Sequence, residues 1–146
     1  MPTVQQVNGP RGTIVSADRQ LTREILPLSE QSGIIVNIAR REDWDSAVQR
    51  GIYEADTLST EGFIHCSEPH QVVDTANALF HGQSGLVLLC IDPTRLASPL
   101  RYESSKRGTF PHIYGPLNVS AVTSVIDFPP RPDGTFELPA GLAGGQ

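Results

Sequence analysis

Apolar residues recur along residues 33–128 with the spacings of strands and helices. The run GIIVNIA (33–39) is rich in β-branched residues and GLVLLCIDP (85–93) is apolar at successive positions, so both predict strands. An uninterrupted apolar run of the second kind is typical of a strand that is buried on both faces. Three further strands are predicted from shorter or alternating patterns, at TEGFIHCS (60–67), in the stretch that ends at Glu103 and at AVTSVIDF (121–128).

Two segments carry helical spacing. In REDWDSAVQRG (41–51), apolar residues recur every three or four positions, acids fill the first turn and Gly51 suits the helix end. In EPHQVVDTANALFHG (68–82), Ser67 would be the N-cap and Pro69 is tolerated in the first turn. The apolar stripe of this helix consists of Val72, Val73, Ala76, Leu79 and Phe80. The order β-α-β-α-β-β-β predicts an α+β domain in which two main helices pack against a small, mostly antiparallel sheet.

Composition divides the chain into three parts. Residues 1–32 are polar with scattered apolar positions, and we expect a flexible N-terminal extension there. Residues 33–128 are expected to form a single α+β domain, because a chain of 146 residues has the length of one domain. Residues 129–146 are rich in Pro and Gly and predict a C-terminal tail with little regular structure.

The distribution of charge along the chain indicates which class of molecule the protein could bind. A net charge of −5 disfavours a long nucleic acid. Residues 95–107 nevertheless hold four basic residues against one acid, which suits a small anionic molecule such as a nucleotide. A solvated basic surface explains the same pattern equally well, and an RNA end stays open as a partner.

Cysteine and histidine spacing argues against a metal site. Cys66 and Cys90 lie within apolar runs and predict buried thiols, and the chain has no Cys-x-x-Cys pair. A hydrolytic metal site built from the four histidines is disfavoured, because His70 and His81 lie about three helical turns apart. Since no segment resembles a signal peptide or an apolar membrane span, we expect a cytoplasmic protein without membrane contact.

The first candidate site residue is His65, in the predicted strand EGFIHCS. Strand alternation places Phe63, His65 and Ser67 on one face, and Ile64 and Cys66 on the core face. A lone strand histidine is more often structural than catalytic. The strand leads into a predicted helix start, however, where free backbone N–H groups attract anions, so His65 and Ser67 are candidates to contact a phosphate or a ribose.

A second unusual string is FPHIYGP (110–116), whose two prolines stiffen the backbone. His112 and Tyr114 project on the same side if the middle of this string is extended. We expect a rigid loop, which either shapes a kink between strands or holds the two polar rings against a ligand.

The third candidate pair is Arg101 and Glu103, which alternate onto one face of a strand. They could form a surface ion pair that contributes only about 0–1 kcal/mol. The functional alternative makes Arg101 an anion clamp and Glu103 an acceptor for ribose hydroxyls or a catalytic carboxylate.

Several strings taken together resemble a bacterial family, the domain of unknown function 952. They are EGFIHCS (61–67), LVLLCIDP (86–93), RYE (101–103) and FPHIYGPLN (110–118). The likeness spans about residues 34–128. That family is similar in fold to the ADP-ribosyltransferases, which bind NAD in a cleft between two small sheets. The resemblance therefore implies an ADP-ribosyltransferase-like split sheet and NAD as a substrate.

The resemblance also implies three cleft positions on three strands. The first, where histidine-type enzymes of this fold have a histidine, corresponds to Asn37. The second corresponds to His65. The third corresponds either to Glu103 or to the segment of His112 and Tyr114.

Two functional hypotheses follow. In the first, an intracellular enzyme transfers or hydrolyses ADP-ribose, with His65, Glu103 and His112 as catalytic residues. Its ligand-binding residues would be Asn37, Ser67, Arg101 and Tyr114. In the second, the domain binds a nucleotide without turnover and has a regulatory role.

Overall fold

Antiparallel strand pairing organises residues 33–143, the part of the chain that the structure, a computed structural model, describes. The strands are β1 (Ile35–Arg40), β2 (Ile52–Tyr53), β3 (Ile64–His65), β4 (Leu86–Ile91), β5 (Leu100–Ser105), β6 (Gly108–Ile113), β7 (Leu117–Asn118) and β8 (Val122–Asp127). The helices are α1 (Arg41–Arg50), α2 (Asp56–Glu61), α3 (Val72–Leu79) and α4 (Ala140–Ala143), with short 3-10 turns at Pro93–Arg95 and Val119–Ala121.

The described strands form three antiparallel sheets. The first has the order β1-β4-β8, the second pairs β2 with β7, and the third has the order β3-β6-β5. The central strand β4 is buried at all six positions, as its uninterrupted apolar run predicts. This part of the chain is therefore a small α+β domain with antiparallel sheets, which confirms the predicted fold class at that level.

Alternation along β1 divides the core in two. Ile35 and Ala39 belong to a cluster with Trp44, Ile64 and Cys66. The opposite face of the strand contributes to a second cluster, with members Val36, Val72, Ala76, Leu86, Leu88, Phe128 and Phe136. Both cysteines are buried free thiols, as predicted. Burial raises the pKa of each thiol, so both act as core residues.

The helix predicted at 68–82 is shorter than its pattern suggested. Ser67 is held in extended pairing, because its N–H and C=O exchange hydrogen bonds of 2.8 Å with Val36. The next residues form a turn, and α3 begins only at Val72, so Ser67 is not its N-cap. Leu79, expected in the apolar stripe, is the last helical residue and is 63% exposed.

The string FPHIYGP is largely a strand and not the predicted loop. Its first half belongs to β6, which pairs with β3 on one side and β5 on the other. Proline normally argues against a central strand, since it has no N–H to donate. Pro111 is accommodated beyond the end of the two-residue strand β3, where its carbonyl accepts a hydrogen bond from the Cys66 N–H at 3.0 Å.

The strand predicted at 60–67 likewise contains a helix end. Thr60 and Glu61 belong to α2, which was not predicted. Gly62 ends this helix with φ of 89°, a left-handed conformation that glycine adopts without strain. The turn at Gly62 brings the end of α2 next to the start of β3.

The chain beyond residue 128 contributes to the second core. Residues 129–139 form no helix or strand, but Phe136 is 1% exposed and its ring stacks on Phe128 with centroids 4.8 Å apart. Its N–H donates to the Asn77 side chain at 2.8 Å.

The proposed domain boundaries stay predictions, and residues 1–32 and 144–146 lie outside the described part. Within residues 33–143, no helix has the length and apolar character needed to cross a membrane.

We expect Phe136→Ala to lower the free energy of unfolding by about 3 kcal/mol, because a buried ring is replaced by a cavity. Urea denaturation followed by circular dichroism measures this change. Leu138→Ala, at a position that is 37% exposed, is the matched control and should cost less than about 1 kcal/mol. Equal small losses in the two variants would show that Phe136 is not a core residue.

Candidate functional site

Three basic side chains form a row across the third sheet. The register pairs His65 of β3 with His112 of β6, and His112 with Arg101 of β5. Directly opposite residues in an antiparallel sheet share one face and have Cβ atoms about 4.5–5.5 Å apart. We call His65, His112 and Arg101 the cross-strand row.

Four rings pack together on the same face. Phe63 stacks on His112 with centroids 4.1 Å apart and an interplanar angle of 20°. It also contacts His65 at 4.7 Å and Tyr114 at 5.2 Å, each in a tilted geometry. His65 and His112 meet edge to face at 5.2 Å. We call Phe63, His65, His112 and Tyr114 the ring cluster, and Phe63 lies at its centre.

The Glu103 carboxylate anchors one side of the ring cluster. Its Oε1 accepts a hydrogen bond from Tyr114 Oη at 2.5 Å and lies 2.7 Å from Nδ1 of His112. These two hydrogen bonds, the one from Tyr114 first, lower the pKa of Glu103, and the same bond raises the pKa of Tyr114. Glu103 is thereby held as a carboxylate. The Arg101 guanidinium lies over the Tyr114 ring, 5.0 Å from its centroid.

The carboxylate also selects the tautomer of His112. Because an ionised carboxylate only accepts hydrogen bonds, we assign the proton of the neutral imidazole to Nδ1. The lone pair then lies on Nε2, which has no hydrogen-bond partner among residues 33–143. Only 12% of the His112 side chain is exposed, so its ring is held in place by both packing and hydrogen bonding.

His65 has a carboxylate partner of its own. Its Nε2 lies 3.0 Å from Oε1 of Glu61, the last residue of α2, and both side chains are about half exposed. The same reasoning assigns the proton to Nε2 and the lone pair to Nδ1. The site therefore contains two carboxylate–imidazole pairs side by side. In the described part of the chain, no group of three or more His, Cys, Asp or Glu side chains could hold a metal ion.

Two of the seven predicted site residues are buried and do not join the ring cluster. Asn37 is 5% exposed and donates through Nδ2 to the main-chain carbonyl of His65 at 2.7 Å, while its buried Oδ1 has no hydrogen-bond partner among residues 33–143. Ser67 is 4% exposed, and its hydroxyl donates to Thr75 at 3.4 Å. The structure thus brings together the other five predicted residues, namely His65, Arg101, Glu103, His112 and Tyr114.

Sequence reasoning missed the role of Glu61. Its signal was the spacing of four residues before His65, but Glu61 was assigned to the strand and not to a helix that ends beside it. Phe63 was expected on the correct face, though not as the centre of the ring cluster. Arg107, part of the basic segment, lies instead over Phe110 at 5.5 Å and donates to Thr75 at 3.0 Å.

We expect Tyr114→Phe to raise the pKa of Glu103 toward its ordinary value, because the substitution removes the first hydrogen bond to the carboxylate and keeps the ring. A carbon-13 NMR titration of the glutamate carboxyl groups measures this pKa. Since the folded-state pKa of Glu103 is lowered, the associated stability is present above the unfolded-state pKa and is lost as the pH falls through the folded-state value. The stability difference between wild type and variant should therefore shrink in acid.

Tyr102→Phe is the matched control for this titration, because the Tyr102 hydroxyl donates to Glu68 at 2.7 Å and not to Glu103. It should leave the Glu103 pKa unchanged. An unaltered Glu103 pKa in Tyr114→Phe would contradict the hydrogen bond as the cause of the shift.

Comparison with known proteins agrees with this architecture. The crystal structure of protein CC0527 from Caulobacter crescentus is similar to this chain, with a TM-score of 0.69 and 38% identity, over 75% of this chain and 98% of that one. Its solution NMR structure has a TM-score of 0.62 and 38% identity, over 74% and 93% of the two chains. No curated protein sequence matches the chain. The family model described as "Protein of unknown function (DUF952)" matches residues 38–125. That match covers more than half of the 146 residues, and the chain therefore belongs to this family.

Proposed function

We propose that the protein binds NAD or a related nucleotide on the ring cluster and transfers or hydrolyses its ADP-ribose group. The observation that carries the proposal is the Glu103 carboxylate, which is held ionised by Tyr114 and His112 beside a set of packed rings. In the proposed reaction NAD is the substrate, and no metal ion is required.

An ionised carboxylate suits the chemistry of an N-glycosidic bond. When the bond between nicotinamide and ribose breaks, positive charge develops on the ribose, as in other glycosyl cleavages. A carboxylate fixed before the reaction stabilises that charge without reorganising. Glu103 would fill this role and would also accept hydrogen bonds from ribose hydroxyls, and His65 would contact the same sugar.

The rest of the ring-cluster face supplies binding groups. Aromatic rings give a base or nicotinamide ring a flat apolar surface, so Phe63, His112 and Tyr114 would line the base or acceptor side. Arg101, on the same face, would neutralise a phosphate. The buried Asn37 and Ser67 would act indirectly, by holding the backbone around β3 in place.

Similarity to the ADP-ribosyltransferase fold is part of the same proposal. Enzymes of that fold bind NAD between two small sheets. The separate three-stranded sheets β1-β4-β8 and β3-β6-β5 support the comparison, as does the place of Asn37 on one and His65 on the other.

The alternative is a domain that binds nucleotides without turnover. Its support is Asn37, which stands where histidine-type enzymes have a histidine and is 5% exposed, with its amide committed to a main-chain carbonyl. Release of nicotinamide from NAD distinguishes the two functions, since only the enzyme produces it.

We expect calorimetry with NAD and with ADP-ribose to detect binding, and Glu103→Gln to weaken it about 10-fold or more. The substitution keeps the shape of the side chain but removes its charge, and hydrogen bonds to charged groups contribute about 1.5–3 kcal/mol. The exposed His70 has no hydrogen bond within residues 33–143, so His70→Ala is the control and should bind as the wild type does.

Each result has a distinct meaning. Failure of NAD, ADP-ribose and simple nucleotides to bind would contradict the proposal as a whole. Binding without release of nicotinamide would favour the regulatory alternative. Release of nicotinamide by the wild type that is lost in Glu103→Gln would support the enzymatic function.

A further inference from the structure

The cross-strand row contains more catalytic groups than NAD cleavage requires. We propose that His65 and His112 act as a general base and a general acid on the phosphodiester of a 2′,3′-cyclic ribonucleotide, with Arg101 holding the phosphate. This inference rests on the proposed nucleotide site but is independent of NAD.

The first support is that each of the two imidazoles has a carboxylate partner. Each has one nitrogen committed to a carboxylate, at 3.0 Å from Glu61 for His65 and at 2.7 Å from Glu103 for His112. A carboxylate in this position fixes the orientation and the tautomer of the ring. Each histidine therefore keeps one nitrogen for proton transfer, Nδ1 in His65 and Nε2 in His112.

The second support is the spacing of the rings. Their centroids lie 5.2 Å apart, in an edge-to-face arrangement on one face of the sheet. A general acid or base works at hydrogen-bonding distance, about 2.6–3.2 Å between heavy atoms. One phosphorus atom placed above the row would bring the attacking and the leaving oxygen each within reach of a different ring.

The environments of the rings assign the roles. The His65 side chain is 49% exposed and has access to water, which suits the general base. His112 is 12% exposed, stacked on Phe63 and hydrogen-bonded to Glu103 through Nδ1, so its Nε2 is held in a fixed position, which suits a general acid directed at one leaving oxygen. Both rings are positioned by groups that do not themselves touch the phosphate.

The step balances with water as the second reactant. The water oxygen bonds to phosphorus while its proton moves to Nδ1 of His65. For this step His112 enters as the imidazolium, with a proton on Nε2 as well as on Nδ1. The bond between phosphorus and the ribose O2′ breaks, its electron pair stays on O2′, and that oxygen takes the proton from Nε2 of His112. The product is a ribonucleotide 3′-phosphate, and solvent exchange returns both rings to their starting states.

Charge selects a small cyclic substrate over an RNA chain. A cyclic phosphodiester carries one negative charge, which matches the single guanidinium of the row. The neighbouring Arg107 is directed to Phe110 and Thr75 instead. With a net charge of −5, the protein also has no excess of basic residues with which to follow a long polyanion.

The test is incubation of the full-length protein with 2′,3′-cyclic AMP, CMP, GMP and UMP, followed by phosphorus-31 NMR. We expect the cyclic phosphate signal to be replaced by that of a monoester. His65→Ala and His112→Gln should each lower kcat at least 100-fold, since general acid or base catalysis contributes about 10²–10⁴-fold. Arg101→Ala should mainly raise KM, and His70→Ala should leave the rate unchanged.

Two precautions make the outcome decisive. Glu61→Gln alters only an exposed surface partner and should lower kcat while KM and the melting temperature stay constant, so the proposal is testable even if His112→Gln unfolds. Turnover that persists in a double variant, His65→Ala with Glu61→Gln, would overturn the inference. A wild type that binds nucleotides but hydrolyses no cyclic phosphate would also overturn it and leave the proposed function standing. Cyclic phosphate hydrolysis without NAD binding would support the inference and contradict the NAD part of the proposed function.

Discussion

Ile64 and Ile113 face each other across the β3–β6 pair, and both are completely buried. The register that pairs them also pairs His65 with His112 on the opposite face. A shift of β3 by one residue would reverse its two faces, which would place the His65 imidazole in the core and Ile64 in the ring cluster. The hydrophobic burial of these two side chains is therefore the constraint that positions the candidate site.

A strand of two residues needs support from outside its own pairing. Asn37 supplies it from the first sheet, since its amide donates to the His65 carbonyl. Ser67 supplies it through the two main-chain hydrogen bonds to Val36. Asn37 and Ser67, which the sequence analysis predicted to contact the ligand, thus hold the backbone of His65 in place. Both side chains are buried, so they support this backbone from inside the protein and not from the surface.

The pattern of apolar and polar residues was sufficient to predict those features that depend on neighbouring residues alone. Alternation in residues 63–67 placed His65 opposite Ile64, and the apolar run of β4 predicted a strand buried on both faces. It was insufficient where a distant segment decides the outcome. Pro111 indicated a loop, yet it lies in a central strand because its partner strand has already ended there. The pairing of Glu61 with His65 depends on where α2 ends, which no propensity in the sequence determines to one residue.

The two proposed reactions place different demands on the same residues. Cleavage of an N-glycosidic bond needs the negative charge of Glu103, and the hydrogen bonds from Tyr114 and His112 preserve that charge. Hydrolysis of a cyclic phosphate needs a second imidazole in a fixed position. That imidazole is His65, and Glu61 fixes its position. The hydrogen bond between Glu103 and His112 serves both reactions, whereas the one between Glu61 and His65 has a catalytic reason only in the second. The exposed carboxylate at the end of α2 is therefore the feature of the site that separates one chemistry from the other.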